Sequence, residues 1–241
     1  MTDREWRAAL RSAVYRGDGV TVVAIARGDG IRANTLQLLG DGLLAALVQR
    51  VDQATELGAE CIGALRRRGW CGDDELAEQL DAALGEGGIP MRRSLPVDLD
   101  ELAMILEGDP LDGGGRIDLT TGEVWHRAAI DYAHEMGEED EDESEDPDRW
   151  LWVDCEGSSD GYRDMESFIG TIADPDSVDR LQIAIEGKGA FRRFKDVLSR
   201  WPNELERWSA FSEERQRGRA RAWLAAAGYT SAPPKEPLAE R

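Results

Sequence analysis

The segment GKGAFRRFKDVL, residues 187–198, clusters cations at the start of a predicted helix. The N-terminal end of a helix carries about half a positive charge, so an unmatched cation there costs about 0.3 kcal/mol or more. Gly187 and Gly189 leave backbone N–H groups free to point outward, and such groups beside cations are typical of an anion site. The candidate contacts for an anion or a partner are Lys188, Arg192, Arg193 and Lys195.

Two sources of negative charge could match these cations. The chain itself is one, since Asp196 lies four residues after Arg192 on the same predicted helix. Asp160 and Asp164, on an earlier predicted helix, are further internal candidates. An external anion such as a phosphate group is the other source. We expect internal pairing to prevail because the chain holds 49 carboxylates.

A long helix is predicted from Pro202 to about Ala227, and its clustered cations also need a source of negative charge. Its arginines form two like-charged pairs four residues apart, Arg215 with Arg219 and Arg217 with Arg221. Each such pair costs about 0.3 kcal/mol on an isolated helix, so we expect an acidic surface opposite them. A phosphate backbone is one candidate for that surface, and the chain's own carboxylates are another. No helix-turn-helix, RNP-type or OB pattern supports the reading of bases.

Residues for metal binding or catalysis are sparse. His126 and His134 are the two histidines, and the three cysteines form no CxxC pair. A zinc site needs about four close Cys, His or carboxylate ligands, so we predict no metal site. No phosphate loop or dinucleotide-binding motif occurs, and we expect no GxSxG nucleophile. The sequence therefore predicts no cofactor and no catalytic residue, and favours a protein that is not an enzyme.

The charge of the chain is unevenly distributed. The formal net charge is −20, and residues 135–148 alone contribute ten acidic and no basic side chains. Residues 187–221 run against this trend, with ten basic and five acidic side chains. Such asymmetry can mark an anion-binding surface or an acidic segment that folds onto one. No stretch of about 18 apolar residues occurs and no signal-peptide pattern opens the chain, so we expect a cytoplasmic protein with reduced thiols.

The hydrophobic pattern predicts an α+β protein in two parts. Residues 1–84 show helical spacing throughout and are predicted to form an all-helical domain, followed by a Gly- and Pro-rich linker at 85–96. Residues 97–228 predict a small antiparallel sheet, with a hairpin at 116–125 and one further strand at 150–155, packed with a helical bundle. The acidic run at 135–148 is predicted to be a loop and residues 229–241 a disordered tail.

Five segments in this second part, in this order, resemble a bacterial family, the uncharacterised protein family 0158. The resemblance covers about residues 97–228 and rests on VDLDELAMILE, RIDLTTGEVW, GYRDMESFI, GKGAFRRFKDVL and RWSAFSEERQRGRARAWL. It implies no known activity, cofactor or catalytic residue. The helical segment 1–84 and the acidic run lie outside it.

Three functions remain open from the sequence. The leading hypothesis is a cytosolic, non-enzymatic binding or regulatory protein that acts through protein–protein contacts, without a membrane. The alternative is binding of nucleic acid or another phosphate anion through the basic C-terminal helices. The third is an unrecognised enzyme.

Overall fold

The computed structural model describes residues 2–86, 91–109, 113–136 and 146–232. The first of these ranges is helical, as the spacing of its apolar residues predicts. Thr2 and Glu5 form a capping box that begins the first helix, whose buried residues Trp6, Leu10 and Ala13 share one face. The helices are α1 (Asp3–Tyr15), α2 (Gly19–Asp29), α3 (Leu36–Val48), α4 (Ala54–Arg68) and α5 (Asp73–Leu84), with a short 3₁₀ turn at Ala33–Thr35 before α3.

Helix α3 lies at the centre of this helical part and is buried along most of its length. Two glycines let its neighbours approach closely. A methyl group added at Gly42 would lie 2.8 Å from Val22 of α2, and one added at Gly40 would lie 2.5 Å from Leu76 of α5. The GDG at residues 40–42 is therefore a helix-packing feature.

The predicted antiparallel sheet is confirmed. Its strands are β2 (Gly115–Asp118), β3 (Val124–His126) and β4 (Trp150–Val153), in the order β3-β2-β4. Gly122, with a φ of 81°, supplies the left-handed turn residue that the hairpin requires. Helix α7 (Arg127–Met136) follows β3 directly. The predicted acidic loop is thus corrected at residues 135–136, which are helical, while 137–145 lie outside the described residues.

A second, unexpected pair of strands joins two distant segments. Strands β1 (Arg93–Leu95) and β5 (Tyr229–Ser231) pair in parallel. The sequence placed the first in a linker at 85–96 and the second in a disordered tail at 229–241, and both assignments are corrected for these residues. These two strands form because of tertiary contacts, since each three-residue strand gains its hydrogen bonds from a partner more than a hundred residues away. Residues 87–90 and 233–241 lie outside the described ranges.

The remaining helices pack around one long helix. They are α6 (Leu99–Leu106), α8 (Ser159–Ile169), α9 (Pro175–Ile185), α10 (Ala190–Leu198) and the long α11 (Pro202–Ala226). Phe168, Phe194, Trp208 and Phe211 form an aromatic cluster at the centre of this bundle. Phe191 and Phe194 share the apolar side of α10 with Ala190, Val197 and Leu198, a spacing that predicts burial of both rings. Phe194 is buried, but Phe191 is 37% exposed.

Helix α11 also contacts the N-terminal helices. Glu214 accepts hydrogen bonds from the backbone N–H groups of Gln37 and Leu38, at 2.8 and 3.1 Å, and so caps the start of α3. The same carboxylate pairs with Arg68 of α4 at 2.9 Å. Whether the two parts unfold separately stays a prediction, but a buried ionic contact joins them. Within the described ranges, no helix is long and apolar enough to cross a membrane.

Candidate partner-binding cleft

The cations of the GKGAFRRF segment have different roles. Gly187 and Gly189 have φ values of 72° and 76° and form the left-handed turn between α9 and α10. The guanidinium of Arg193 folds back over this turn and donates to the carbonyl oxygen of Ala184 at 3.0 Å, and to those of Glu186 and Lys188. Arg193 therefore satisfies the free carbonyl groups at the end of α9, where the helix dipole favours a cation.

The other three cations are exposed at the surface. Arg192 lies 3.9 Å from Asp196, and both side chains are largely in solvent. Lys188 and Lys195 form no ion pair with the part of the chain that the structure describes. The carboxylates proposed from the sequence are used elsewhere, since Asp160 pairs with Arg163 and Asp164 pairs with arginines of α11. Internal pairing is thus seen for Arg192, through Asp196, and the structure shows none for the two lysines.

We expect Arg193→Ala to lower the free energy of unfolding by about 1–2 kcal/mol, because the carbonyl groups at the end of α9 lose a charged donor. Arg192→Ala, one residue earlier, is the matched control and should change it by less than about 0.5 kcal/mol, since an exposed ion pair contributes little. Urea unfolding of the two variants measures this difference. Equal stabilities would show that the capping interaction contributes nothing.

The arginines of α11 are matched by the chain's own carboxylates. Arg215 pairs with Asp164 of α8 at 2.5 Å, and Arg219 pairs with both Asp164, at 2.9 Å, and Glu107. Asp164 is fully buried. Burial opposes the charge on Arg219, but the carboxylates beside it outweigh that effect and raise its pKa.

The other two arginines of the series reach the N-terminal part. Arg217 pairs with Asp41 of α3 and Asp100 of α6, each at 2.7 Å, and Arg221 pairs with Asp41 at 2.5 Å. Arg221 is 2% exposed and also donates to Gln37, Gln79 and Ser231. Burial opposes the charge on Arg217, but its two carboxylates raise its pKa. Of the two acidic surfaces considered for this series, the structure shows the internal one.

A cleft of about 990 Å³ lies alongside α11. Helix α1 forms one wall, the N-terminal half of α11 forms the other, and α3 contributes Leu38, Asp41 and Ala45. The segment before α6 and the end of β5 also line it. Its other lining residues are Arg4, Arg7, Ala8, Arg11, Ser12, Val14, Tyr15, Pro96, Val97, Asp98, Leu99, Asp100, Pro202, Asn203, Leu205, Glu206, Ser209, Glu213, Arg217, Ser231 and Ala232.

Long side chains bridge the cleft in a regular register. Arg7 donates to the carbonyl oxygen of Ser209 at 3.2 Å and to the Glu213 carboxylate. Arg11 also donates to Glu213. The pairs Arg7–Ser209 and Arg11–Glu213 are both separated by 202 residues, so the two helices run in parallel at this point. Sequence reasoning missed this wall, although Arg4, Arg7 and Arg11 have the helical spacing i, i+3, i+7.

A third pair of side chains, Arg4 and Glu206, lies at the next position in this register but forms no ion pair. The same separation of 202 residues places Arg4 opposite Glu206 (206 − 4 = 202). No ion pair joins them, and Arg4 is exposed. The Oε1 atom of Glu206 is buried and accepts no hydrogen bond from the described residues. The cleft therefore contains one carboxylate whose buried oxygen is unmatched.

One serine, Ser159, lies in a pattern typical of a catalytic nucleophile. The pattern GxSxG does occur, as GSSDG at residues 157–161, contrary to the expectation from the sequence. Ser159 is the first residue of α8, is exposed, and makes no hydrogen bond to a histidine of the described chain. A nucleophile needs such a base within reach, and His126 instead lies 3.0 Å from Glu101. The motif is therefore the start of a helix and not an assembled nucleophile.

Two of the three thiols are held in their unreactive form. The cysteines are free, and burial together with the Glu214 carboxylate raises the pKa of Cys61 to about 12. Burial also raises the pKa of Cys71. Both thiols are therefore protonated near neutral pH, which is the unreactive form. Among the residues described, no group of three or more His, Cys, Asp or Glu side chains could hold a metal ion.

Comparison with known proteins identifies one family. The profile of the uncharacterised protein family UPF0158 matches residues 98–236, which include α11 but none of α1 to α5. The UPF0158 protein PA5073 of Pseudomonas aeruginosa is 29% identical over 132 residues, which cover 55% of this chain and 83% of that protein. No solved structure is a significant match. One wall of the cleft therefore lies within the family region and the other outside it.

Proposed function

This chain belongs to the uncharacterised protein family UPF0158, whose description states no activity, and we propose a function for it on the basis of the geometry of the cleft. The protein is a non-enzymatic binding protein that takes a segment of a partner protein between α1 and α11. The observation that carries this proposal is the cleft of about 990 Å³ between those two helices. Clefts of this kind, at the junction between two parts of a chain, are preferred sites for ligands.

The shape of the cleft favours a peptide segment. Its lining follows α11 from Pro202 to Arg217, a stretch of 16 residues with 15 steps between its ends. At 1.5 Å per residue this length is about 22 Å, which corresponds to about seven residues of extended chain. Apolar and aromatic side chains along it, such as Val14, Tyr15 and Leu205, can pack against a partner's side chains, and the arginine and carboxylate groups form a polar rim.

The chemistry of the lining supports binding in preference to catalysis. Its described residues include no histidine or cysteine. Asp41 and Glu213 are each already paired with two arginines, so neither is free to act as a base. The free cysteines fit a reducing compartment, and we place this function in the cytoplasm.

Binding of nucleic acid has weaker support. The arginines of α11 would supply most of the positive charge, but they are paired with Asp41, Asp100, Glu107 and Asp164. Phosphate binding would depend on Lys188, Arg192 and Lys195, which lie on and beside α10 and do not line the cleft. We therefore propose that the partner is a protein and not a nucleic acid.

A phage-displayed library of random seven-residue peptides tests this function. We expect selection on the full chain to yield peptides that Ala8→Trp binds at least about tenfold more weakly, because the indole fills the cleft. Ala24→Trp, at an exposed site on α2 outside the lining, is the matched control and should leave affinity within about twofold. Fluorescence anisotropy of labelled peptides measures both. Equal binding by both variants, or failure to select any peptide, would overturn the proposal.

A further inference from the structure

We propose that Glu206 selects a basic side chain, lysine or arginine, in the partner segment that occupies the cleft. This inference rests on the proposed function and adds the chemistry of the ligand to it. Glu206 lines the cleft with one buried carboxylate oxygen that accepts no hydrogen bond within the described ranges.

The unmatched oxygen is Oε1 of Glu206. It is shielded from solvent and has no hydrogen-bond partner in the part of the chain that the structure describes. A buried carboxylate oxygen without a donor is unfavourable, because water that would solvate it has been removed. Buried polar groups nearly always have partners, so an exception in a cleft indicates a place for a ligand donor. An ammonium or guanidinium group supplies such a donor together with the opposite charge.

The cations of the cleft do not meet this need. Arg4 occupies the matching position in the register of α1 and α11, yet it is exposed and forms no ion pair with Glu206. Arg7 and Arg11 both donate to Glu213, which lies about two helical turns after Glu206. Side chains of α1 therefore bridge to α11 at Glu213, and no described side chain of α1 bridges to Glu206, which lines the same cleft.

A lysine or arginine also fits the surroundings of Glu206. Leu205 and Pro202 line the same end of the cleft. Long basic side chains place their methylene groups on apolar surface and keep the charged end for a polar partner. The net charge of −20 acts in the same direction, since it attracts a positively charged partner and speeds its association.

An acidic partner segment is the competing possibility. Three arginines on α1 would attract it, but two of them, Arg7 and Arg11, already share the single negative charge of Glu213. A carboxylate entering near Glu206 would bring two like charges together in a partly buried site, which is costly. We therefore expect peptides selected on this protein to share a lysine or arginine flanked by apolar residues.

A double-mutant cycle tests the inference with peptides from the random library. A peptide with the shared lysine and its lysine-to-methionine counterpart are titrated against the wild-type chain and Glu206→Gln. The substitution keeps the shape of the side chain and removes its charge. We expect it to weaken binding of the lysine peptide about tenfold and to leave the methionine peptide within about twofold. Glu204→Gln is the matched control, because Glu204 lies two residues away, pairs with Arg207 and does not line the cleft.

The outcomes separate the two proposals. If no peptide is selected, or if Ala8→Trp binds peptides normally, the proposed function fails and this inference fails with it. If Ala8→Trp blocks binding but Glu206→Gln affects both peptides equally, the cleft is a binding site and Glu206 is not its selector. Selected peptides with shared acidic residues would likewise overturn the inference while the proposed function stands.

Discussion

Replacing Asp41 by alanine is expected to lower the free energy of unfolding by about 3–5 kcal/mol, the usual loss when one partner of a buried ion pair is removed. Its carboxylate accepts from Arg217 and Arg221 at 2.7 and 2.5 Å. Arg221 is 2% exposed, so its charge cannot be transferred to solvent when the carboxylate is lost. Two guanidinium groups on α11 would then face α3 with fewer partners.

Asp81→Ala is the matched control for this prediction. The side chains of Asp81 and Asp41 are exposed to nearly the same extent, 18% and 17%. They differ in their partners, since Arg66, which pairs with Asp81, is 57% exposed. We expect a loss below about 1 kcal/mol for Asp81→Ala. Urea unfolding measures the free energy of unfolding of both variants. If the Asp41→Ala variant does not fold, Asp41→Asn is a smaller change at the same position and can be measured instead.

The contradicting result for Asp41 is a loss no larger than that of Asp81→Ala. It would mean that Gln37, Gln79 and Ser231, which also bind Arg221, are sufficient to hold its charge. The ion pairs between Asp41 and α11 would then contribute little, and the contact between α3 and α11 would depend on Glu214, which caps α3.

Phe194→Ala should lower the free energy of unfolding by about 3–5 kcal/mol, the usual loss for a buried phenylalanine. Its ring is fully buried, and its centroid lies 4.8 Å from that of Trp208 in an edge-to-face contact. Truncation leaves a cavity among aromatic rings that are held by several helices, so the site cannot collapse to fill it. Such aromatic contacts add about 1 kcal/mol beyond the buried area.

Phe191→Ala provides the comparison within the same helix. This side chain is 37% exposed and packs against Gly161 of α8. We expect a loss of about 1 kcal/mol, because much of the ring is already in solvent. Chemical unfolding of both variants checks the difference. Equal losses would show that Phe191 is as important to the packing of α10 as Phe194.

Local features of the fold could be predicted from the sequence. The hairpin follows from the alternation of Ile117 and Leu119 and from Gly122 at the turn, all of which are neighbours in the chain. The helices follow from apolar residues at helical spacing. Strands β1 and β5 could not be predicted in this way. A strand of three residues is too short to show a clear alternation of apolar and polar residues, and its partner strand is distant in sequence.

The candidate site was less accessible to prediction for the same reason. The spacing of the α11 arginines predicts an acidic surface opposite them, but a single sequence does not show that Asp41 and Asp164 provide it. The bridge from Arg7 to Glu213 joins residues 206 positions apart. The matching spacing of Arg4, Arg7 and Arg11 with Glu206, Ser209 and Glu213 was a visible signal, although many helices share it.

Backbone hydrogen exchange with and without a selected seven-residue peptide tests the binding cleft most directly. Binding between α1 and α11 should slow exchange at residues 3–15 and 202–217, because the bound segment stabilises both helices against local opening. Residues 175–198, which include α9 and α10 with the exposed cations Lys188, Arg192 and Lys195, should be unchanged. Slower exchange at 175–198 with no change at 3–15 would contradict the account and would place the binding surface on the basic helix.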